Sequence, residues 1–344
     1  MIPILSSSEA FDLDKETIDS GYASKSELMD RAGLLSAQFI IENIEDPFNS
    51  KFAILAGPGD NGGDGIICHY YLKLYKIDSI LILLEKNIEN SWIFNKYPIS
   101  RENVLFFSNT YNFSDDFWYI DCIFGIGFNR PCTGKYKTML QKLDKISKII
   151  SLDIPSGIYC DSGLADEFYV NSKITLSMGH CKIGHYFNAG LEASGKLHIL
   201  DIGLQPIKNP IKYIQCIEYA DANFQTLKWK NNIHKYSRGR VCSIAGSLKF
   251  TGAGILAIKA AIKTGAGISK VLISDSNIIS MNHNIIESIQ IPISDNIIGK
   301  TDLVSLSKII NYIKWGDSLI FGPGLESDAL NSVWIAEILK KIDI

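Results

Sequence analysis

Short apolar runs alternating with amphipathic stretches organise the first two hundred residues. Phe52–Ala56, Ile80–Leu84, Val104–Phe107, Trp118–Phe124 and Lys148–Leu152 are nearly unbroken apolar segments. Such runs mark strands covered on both faces, as in parallel sheets. Residues 24–44 have helical spacing instead: Ser24 and Glu27 form a capping box, and Leu28, Ala32, Leu35 and Phe39 share a face. Further helical patterns cover Gly65–Tyr75 and Lys135–Ile146. This rhythm predicts an α/β fold, a doubly wound, Rossmann-like and mostly parallel sheet. Ser172–Met178 and Lys196–Asp201 read as two more strands, extending the sheet toward an edge.

The rhythm lapses from residue 205. Pro206, Pro210 and the polar run Lys228–Asn232 make residues 205–233 the linker candidate between a first domain, 1–204, and a second, 234–344. In the second, a strand over Gly239–Ala245 leads into the loop Gly246–Gly254, a helix over Ile255–Thr264 and a strand over Lys270–Ser274. This unit has about 110 residues, small for a domain of its kind.

The most informative loop is Gly57-Pro58-Gly59-Asp60-Asn61-Gly62-Gly63-Asp64-Gly65. It follows a strand and precedes a helical pattern, and its glycines let backbone N–H groups approach a ligand. A helix N-terminus there suits a phosphate-bearing molecule. Gly57, Gly59 and Gly62 satisfy G-x-G-x-x-G, with Glu85 closing the next strand, as in a dinucleotide site. Pro58, Asp60, Asp64 and Asn61 argue against ordinary redox use. The two carboxylates would repel phosphate unless a cation or hydroxyl-rich group intervened.

Two further loops belong at the same rim: Gly125-Ile126-Gly127-Phe128-Asn129-Arg130-Pro131 and Asp153-Ile154-Pro155-Ser156-Gly157. Asp153 ends an apolar strand, where a carboxylate either faces a polar cleft and transfers protons or caps a turn. Asp121, Asn61 and Ser156 together offer oxygen donors suited to a hard cation. Asp121 alone reads equally well as an internal hydrogen-bonding carboxylate. Arg130 with the Gly125 and Gly127 amides could hold a second phosphate, or remain solvated.

GPGDNGGDG, DCIFGIGFNRP and SLDIPSG resemble, in order and spacing, the NAD(P)H-hydrate epimerases, the YjeF N-terminal domain. Leu28–Gly33, Asp161–Gly163, SMGHCKIGHY and GKLHILDIGL extend the resemblance over roughly residues 10 to 204. It implies a substrate of NADH or NADPH hydrated at C6 of the nicotinamide ring, and interconversion of its R and S epimers. It places Asp60, Asn61, Gly62, Gly63, Asp64, Gly125, Ile126, Gly127, Phe128, Asn129, Arg130, Pro131 and Asp153 on substrate. Asn61, Asp121 and Ser156 would hold K+, and Asp153 would be the catalytic acid–base group. Glu85, if directed inward, would suit a free ribose 2′-hydroxyl.

HKYSRGRVCSIAGSLKFTGAGILAIKAAIKTGAGISKV, with the later DSLIFGPGL, resembles the ADP-dependent NAD(P)H-hydrate dehydratases, which have a ribokinase-like fold. Ala253 and Gly324 occupy substrate-contacting positions of that pattern, while Gly254 stands where proline is common. No Gly-Thr-Gly-Asp segment occurs in the sequence. The expectation is therefore an incomplete, truncated dehydratase unit, inactive alone, arising as a fragment or split-gene product or completed by a second polypeptide. ADP or ATP, and Mg2+, would serve only that half. The resemblance also allows a homodimer.

Composition narrows the remaining classes. A net charge of −3 leaves no basic footprint for nucleic acid, and no segment reaches the ~18 uninterrupted apolar residues of a membrane span. Seven cysteines without C-x-x-C spacing read as reduced thiols in a cytoplasmic protein. Six unclustered histidines argue against zinc. Two alternatives stand beside the epimerase reading: an NAD-dependent oxidoreductase using Gly57–Gly62 and Glu85, and a non-catalytic nucleotide-binding module.

Overall fold

The computed structural model describes residues 2–90, 92–217, 221, 234–247, 249–293, 303–325 and 329–342. They divide into two compact units, 1–222 and 223–344. The first opens with β1 (Ile2–Leu5), α1 (Ser7–Asp19) and α2 (Lys25–Asn43). It continues through β2 (Lys51–Ala56), α3 (Asp60–Leu74), β3 (Asp78–Leu83), α4 (Trp92–Lys96), β4 (Val104–Phe106), β5 (Phe117–Cys122) and α5 (Gly134–Leu143). It ends with β6 (Ile149–Leu152), β7 (Ile174–Met178), β8 (Cys181–Lys182), α6 (Asn188–Ala193), β9 (Lys196–Leu200) and β10 (Ile214–Cys216).

Among the described residues, seven parallel strands pair in the order β4-β3-β2-β5-β6-β7-β9. The order reverses direction between β2 and β5, so the loops after these strands diverge and leave a crevice at their carboxyl ends. Alternation across the pleat splits each strand between two cores. Phe52, Ile54 and Ala56 join the cluster containing Ile40 of α2 and Ile67 and Leu72 of α3. Ala53 and Leu55 join the opposite cluster with Met139, Leu140 and Leu143 of α5. Helices therefore cover both faces.

The helix read from Gly65 begins earlier, at Asp60, with Gly59 as its N-cap. Most of the glycine-rich motif is thus helix, and its glycines serve close packing rather than turning. A Cβ on Gly62 would strike the Gly57 carbonyl oxygen, and one on Gly65 would meet Cys122 Sγ at 2.5 Å. The helix gives up propensity at each glycine and gains contact with the sheet. α7 (Thr251–Lys263) likewise starts ahead of the expected Ile255, with Gly254 against the Ala245 carbonyl.

Residues 2–19, for which the sequence pattern predicts no element, form β1 and α1, and the Ser6–Glu9 capping box starts the helix. Residues 205–217, read as linker, belong instead with the first unit: β10 pairs antiparallel with β1, whose other edge pairs parallel with β8. Register carries them there, because β1 offers two free edges that β10 and β8 satisfy. The polar run Lys228–Asn232 lies outside the described residues.

The second unit contains β11 (Arg240–Ile244), α7, β12 (Ile268–Ser274), α8 (Ile278–Asn284), β13 (Ile289–Ile293), α9 (Leu303–Ile313), β14 (Ser318–Phe321) and α10 (Ala329–Leu339). Its described strands are parallel in the order β13-β12-β11-β14.

The glycine packing makes a direct prediction. Gly65→Ala should destabilise the first unit by about 1–3 kcal/mol through overpacking against Cys122. Gly127→Ala, whose Cβ would meet only Phe11 at 3.8 Å, should stay within ~0.5 kcal/mol. Urea unfolding of the two variants beside the parent chain measures both.

Candidate active site

A cleft of about 1010 Å³ opens over the carboxyl ends of β2, β5 and β6. Its lining includes Asp60, Asn61 and Asp64 from α3, the whole Gly125–Pro131 loop, and Asp153. Gly62 and Gly63 do not line it; they are buried behind, Gly62 on the Gly57 carbonyl and Gly63 beside Met29 Sδ. Asp121 and Ser156 also lie beneath the surface, 0% and 1% exposed. Arg130 is exposed at the rim.

Asp121 is the hub of this floor. Its Oδ1 accepts from Ser156 Oγ at 2.6 Å and Ile123 N–H at 3.2 Å; its Oδ2 accepts from Ser151 Oγ at 2.7 Å and Ser156 N–H at 2.9 Å. Burial raises the carboxyl's pKa, and the hydrogen bonds from Ser156 oppose that rise. Ser156 Oγ in turn accepts from Phe124 N–H at 2.9 Å, and the Phe124 carbonyl accepts from Asn61 Nδ2 at 2.7 Å. One chain of bonds thereby joins the turn after β6, the loop after β5 and the first turn of α3. Asn61 Oδ1 is buried and has no hydrogen-bond partner among the described residues.

Asp153 sits at the mouth of β6 with φ of +67°, a left-handed conformation that side-chain-bearing residues hold only under constraint. Three contacts impose it. Its N–H donates to Leu176 O at 2.7 Å. Its carbonyl accepts from His185 Nε2 at 2.9 Å. Its Oδ1 forms an ion pair with Lys182 Nζ. Since the carbonyl only accepts, Nε2 must carry the imidazole proton, and Nδ1 then accepts from Lys182 N–H at 3.1 Å. Burial and then the Lys182 charge lower the His185 pKa to about 4, keeping the ring neutral. Lys182, 2% exposed, also donates to Ser177 Oγ at 3.1 Å and Met178 O at 2.9 Å.

Sequence reasoning gave no role to Lys182, His185 or Asp14. The first two lie in the short segment around β8, where no periodic signal separates a buried lysine from a solvated one. Asp14 comes from α1, whose capping box was the available clue. Burial and then Asp153 raise the Asp14 pKa to about 6, with Lys182 opposing. Asp64 is pushed well above the usual carboxylate range by burial, then by Asp153, Asp60 and Asp14. Glu85 is engaged by Tyr136 Oη at 2.7 Å and Lys135 Nζ at 2.9 Å, which hold its pKa down, the lysine foremost. In the second unit, Ala253 and Gly324 come together: a Cβ on Gly324 would lie 2.9 Å from Ala253 Cβ.

A crevice at the switch point of a doubly wound sheet, floored by an acid–amide–hydroxyl web, defines a Rossmann-like α/β protein with a polar ligand site. The chain belongs to the NAD(P)H-hydrate epimerase family: the profile described as YjeF-related protein N-terminus matches residues 25–184, and the Oenococcus oeni NAD(P)H-hydrate epimerase is 30% identical over 58% of this chain and 96% of its own length. A second profile, described as NAD(P)H-hydrate dehydratase, matches residues 241–343. The bifunctional NAD(P)H-hydrate repair enzyme Nnr of Dictyoglomus turgidum is 28% identical over 92% of this chain, which spans 63% of that relative's length. The crystal structure of yeast YNL200c superposes with a TM-score of 0.46 at 23% identity, covering 54% of this chain and 84% of that one. No helix among the described residues is long and apolar enough to cross a membrane.

The His185 bracket has a pH signature. Between about pH 4 and 6.5 the unfolded chain binds a proton that folded His185 refuses, so the contribution of His185 to stability falls as pH drops through this window. In His185→Gln that dependence should be shallower by one proton, ~1.4 kcal/mol per pH unit. Urea unfolding at pH 7, 6 and 5 measures it.

Proposed function

We propose that the first unit interconverts the R and S epimers of NADH or NADPH hydrated at C6 of the nicotinamide ring. The observation that carries this reading is the convergence of Asn61, Asp121, Asp153 and Ser156 from three separate loops at one rim. Asp153 supports it further: it lies beside Gly125, where a Cβ would meet Asp153 Oδ2 at 3.4 Å and Asn61 Cβ at 3.2 Å. Family membership favours the same reading over an oxidoreductase or a non-catalytic module.

In this reading the Gly125–Pro131 loop and Asp60, Asn61 and Asp64 flank the dinucleotide, with Arg130 at the rim for a phosphate. Asp153 acts as an acid–base group toward the water exchanged at C6. Its left-handed backbone aims the carboxyl into the cleft, and Lys182 anchors one of its oxygens. Glu85 is already engaged by Lys135 and Tyr136, so a ribose hydroxyl would have to share or displace them.

The residues around Asn61 suit a potassium ion. Asn61 Oδ1 is an orphaned buried oxygen, and Phe124 O and Ser156 Oγ are adjoining oxygen donors. Asp121 already accepts four hydrogen bonds, about its full lone-pair capacity. It would act on a cation chiefly as a fixed negative charge beneath the site. When bound, the ion would supply positive potential toward a substrate phosphate or hydroxyl. For the second unit, we propose that Ala253 and Gly324 contact the hydrate in a dehydratase-type site, with ADP or ATP and Mg2+ as its cosubstrates.

Incubation of the purified chain with the S hydrate, followed by chromatographic separation of the epimers, tests the function. Equilibration to both epimers with unchanged total 340 nm absorbance is expected, and no interconversion overturns the reading. Asp153→Asn should slow the exchange by about 10²–10⁴-fold. Replacing potassium by a tetraalkylammonium salt should weaken substrate binding if Asn61 holds the ion.

A further inference from the structure

α1 turns Ala10, Leu13, Asp14 and Thr17 to one side, the i, i+3, i+4, i+7 stripe of an inward-facing helix. Ala10, Leu13 and Thr17 are buried. Asp14 is the carboxylate in that stripe, and it lines the cleft together with Asp153 and Lys182. Among the described residues no hydrogen bond or ion pair engages it. A half-buried carboxyl that lines a cleft without a partner is a candidate for proton transfer.

The helix carrying it is fastened at both ends. Ser7 N–H and Oγ donate to the two oxygens of Asp161 at 2.6 and 2.7 Å. At the far end Gln205 N–H donates to Thr17 Oγ1 at 3.2 Å and Gln205 Nε2 donates to Glu16 at 3.0 Å. Asp14 therefore stands on a rigid wall, not on a loop. The charged groups lining the cleft around it are Asp153 and Lys182, Asp60 paired with Lys25, Asp64, His180 and Arg130, with Lys15 and Asp19 on its own helix.

Asp153, in its ion pair with Lys182, is placed to accept a proton, so the reaction still needs a donor. We propose that Asp14 is a second catalytic carboxyl, giving its proton to the departing C6 hydroxyl while Asp153 serves the returning water. This rests on the epimerase function proposed above. In the forward turn the Asp14 proton passes to the hydroxyl oxygen, and the C6–O bond breaks with its electron pair leaving on water. The ring-nitrogen lone pair forms the C6=N1 bond of an iminium, beside the newly formed Asp14 carboxylate. Water then adds to the other face of C6, the π pair returns to nitrogen, and the surplus proton goes to Asp153. The opposite epimer runs the same steps backwards, moving the proton from Asp153 to Asp14; between turns in one direction, exchange with solvent through the open cleft takes the proton from Asp153 and returns one to Asp14.

The test compares the full chain with Asp14→Asn and Asp14→Glu in the epimer-separation assay. Asp14→Asn should lose at least about 100-fold in kcat, with KM within about threefold of the parent. The parent kcat/KM should fall above about pH 6, where Asp14 of the free protein loses its proton, and that limb should vanish in the Asn variant. Asp14→Glu should recover at least about tenfold over Asn. At pH 8 the melting temperature of Asp14→Asn should equal or exceed that of the parent, because an unpaired charge has been removed. A kcat within about threefold of the parent, a loss confined to KM, or a lower melting temperature overturns the role. A parent chain that does not interconvert the hydrates overturns the epimerase reading and this role together. An active parent with an equally active Asn variant removes Asp14 alone.

Discussion

A single buried carboxylate fixes the geometry on which the cleft depends. Asp121, fully enclosed at the end of β5, accepts four hydrogen bonds from Ser151, Ser156 and Ile123. Three of them cross to β6 or the turn that follows it, so two strand ends and their loops are held as one piece. Ser156 passes the constraint to the Phe124 amide, and Asn61 takes it up at the Phe124 carbonyl. A buried charge is expensive, and a fully bonded one is tolerated because every alternative leaves donors stranded. The same residues that read as cation ligands are thus first of all a structural bracket.

The reactive group is held by a second, independent bracket. Asp153 keeps a left-handed backbone because Leu176 and His185 bond its main chain and Lys182 holds its carboxyl. His185 can do this only as the neutral tautomer protonated on Nε2. Strained backbone of this kind costs about 1–3 kcal/mol and persists where surroundings over-determine it. Here the surroundings are contributed by β7, β8 and the turn Ile183–His185 that follows it, all remote in sequence from the glycine motif.

The parallel sheet was legible because its strands are covered on both faces and their apolar runs stand out. The three loops at the rim were legible because each follows such a run. What escaped was governed by tertiary contact. The start of α3 was hidden by glycines that look like a turn, yet Gly62 and Gly65 are small because the Gly57 carbonyl and Cys122 press on them. β8 spans two residues and β10 three, too short for any period to show. Lys182 looked like any other lysine until the fold buried it, and Asp14 like any acid on a surface helix until the cleft formed beside it.

The threading of β1 also bears on the order of assembly. This strand pairs with Cys181–Lys182 and Ile214–Cys216, roughly two hundred positions further along the chain. α1, hinged directly behind it, waits for Asp161 and Gln205 in the same way. Contacts so distant along the chain are slow to close. The wall of the cleft that α1 forms therefore closes only through partners far along the chain, and a polypeptide lacking residues 161–205 would leave that wall without its anchors.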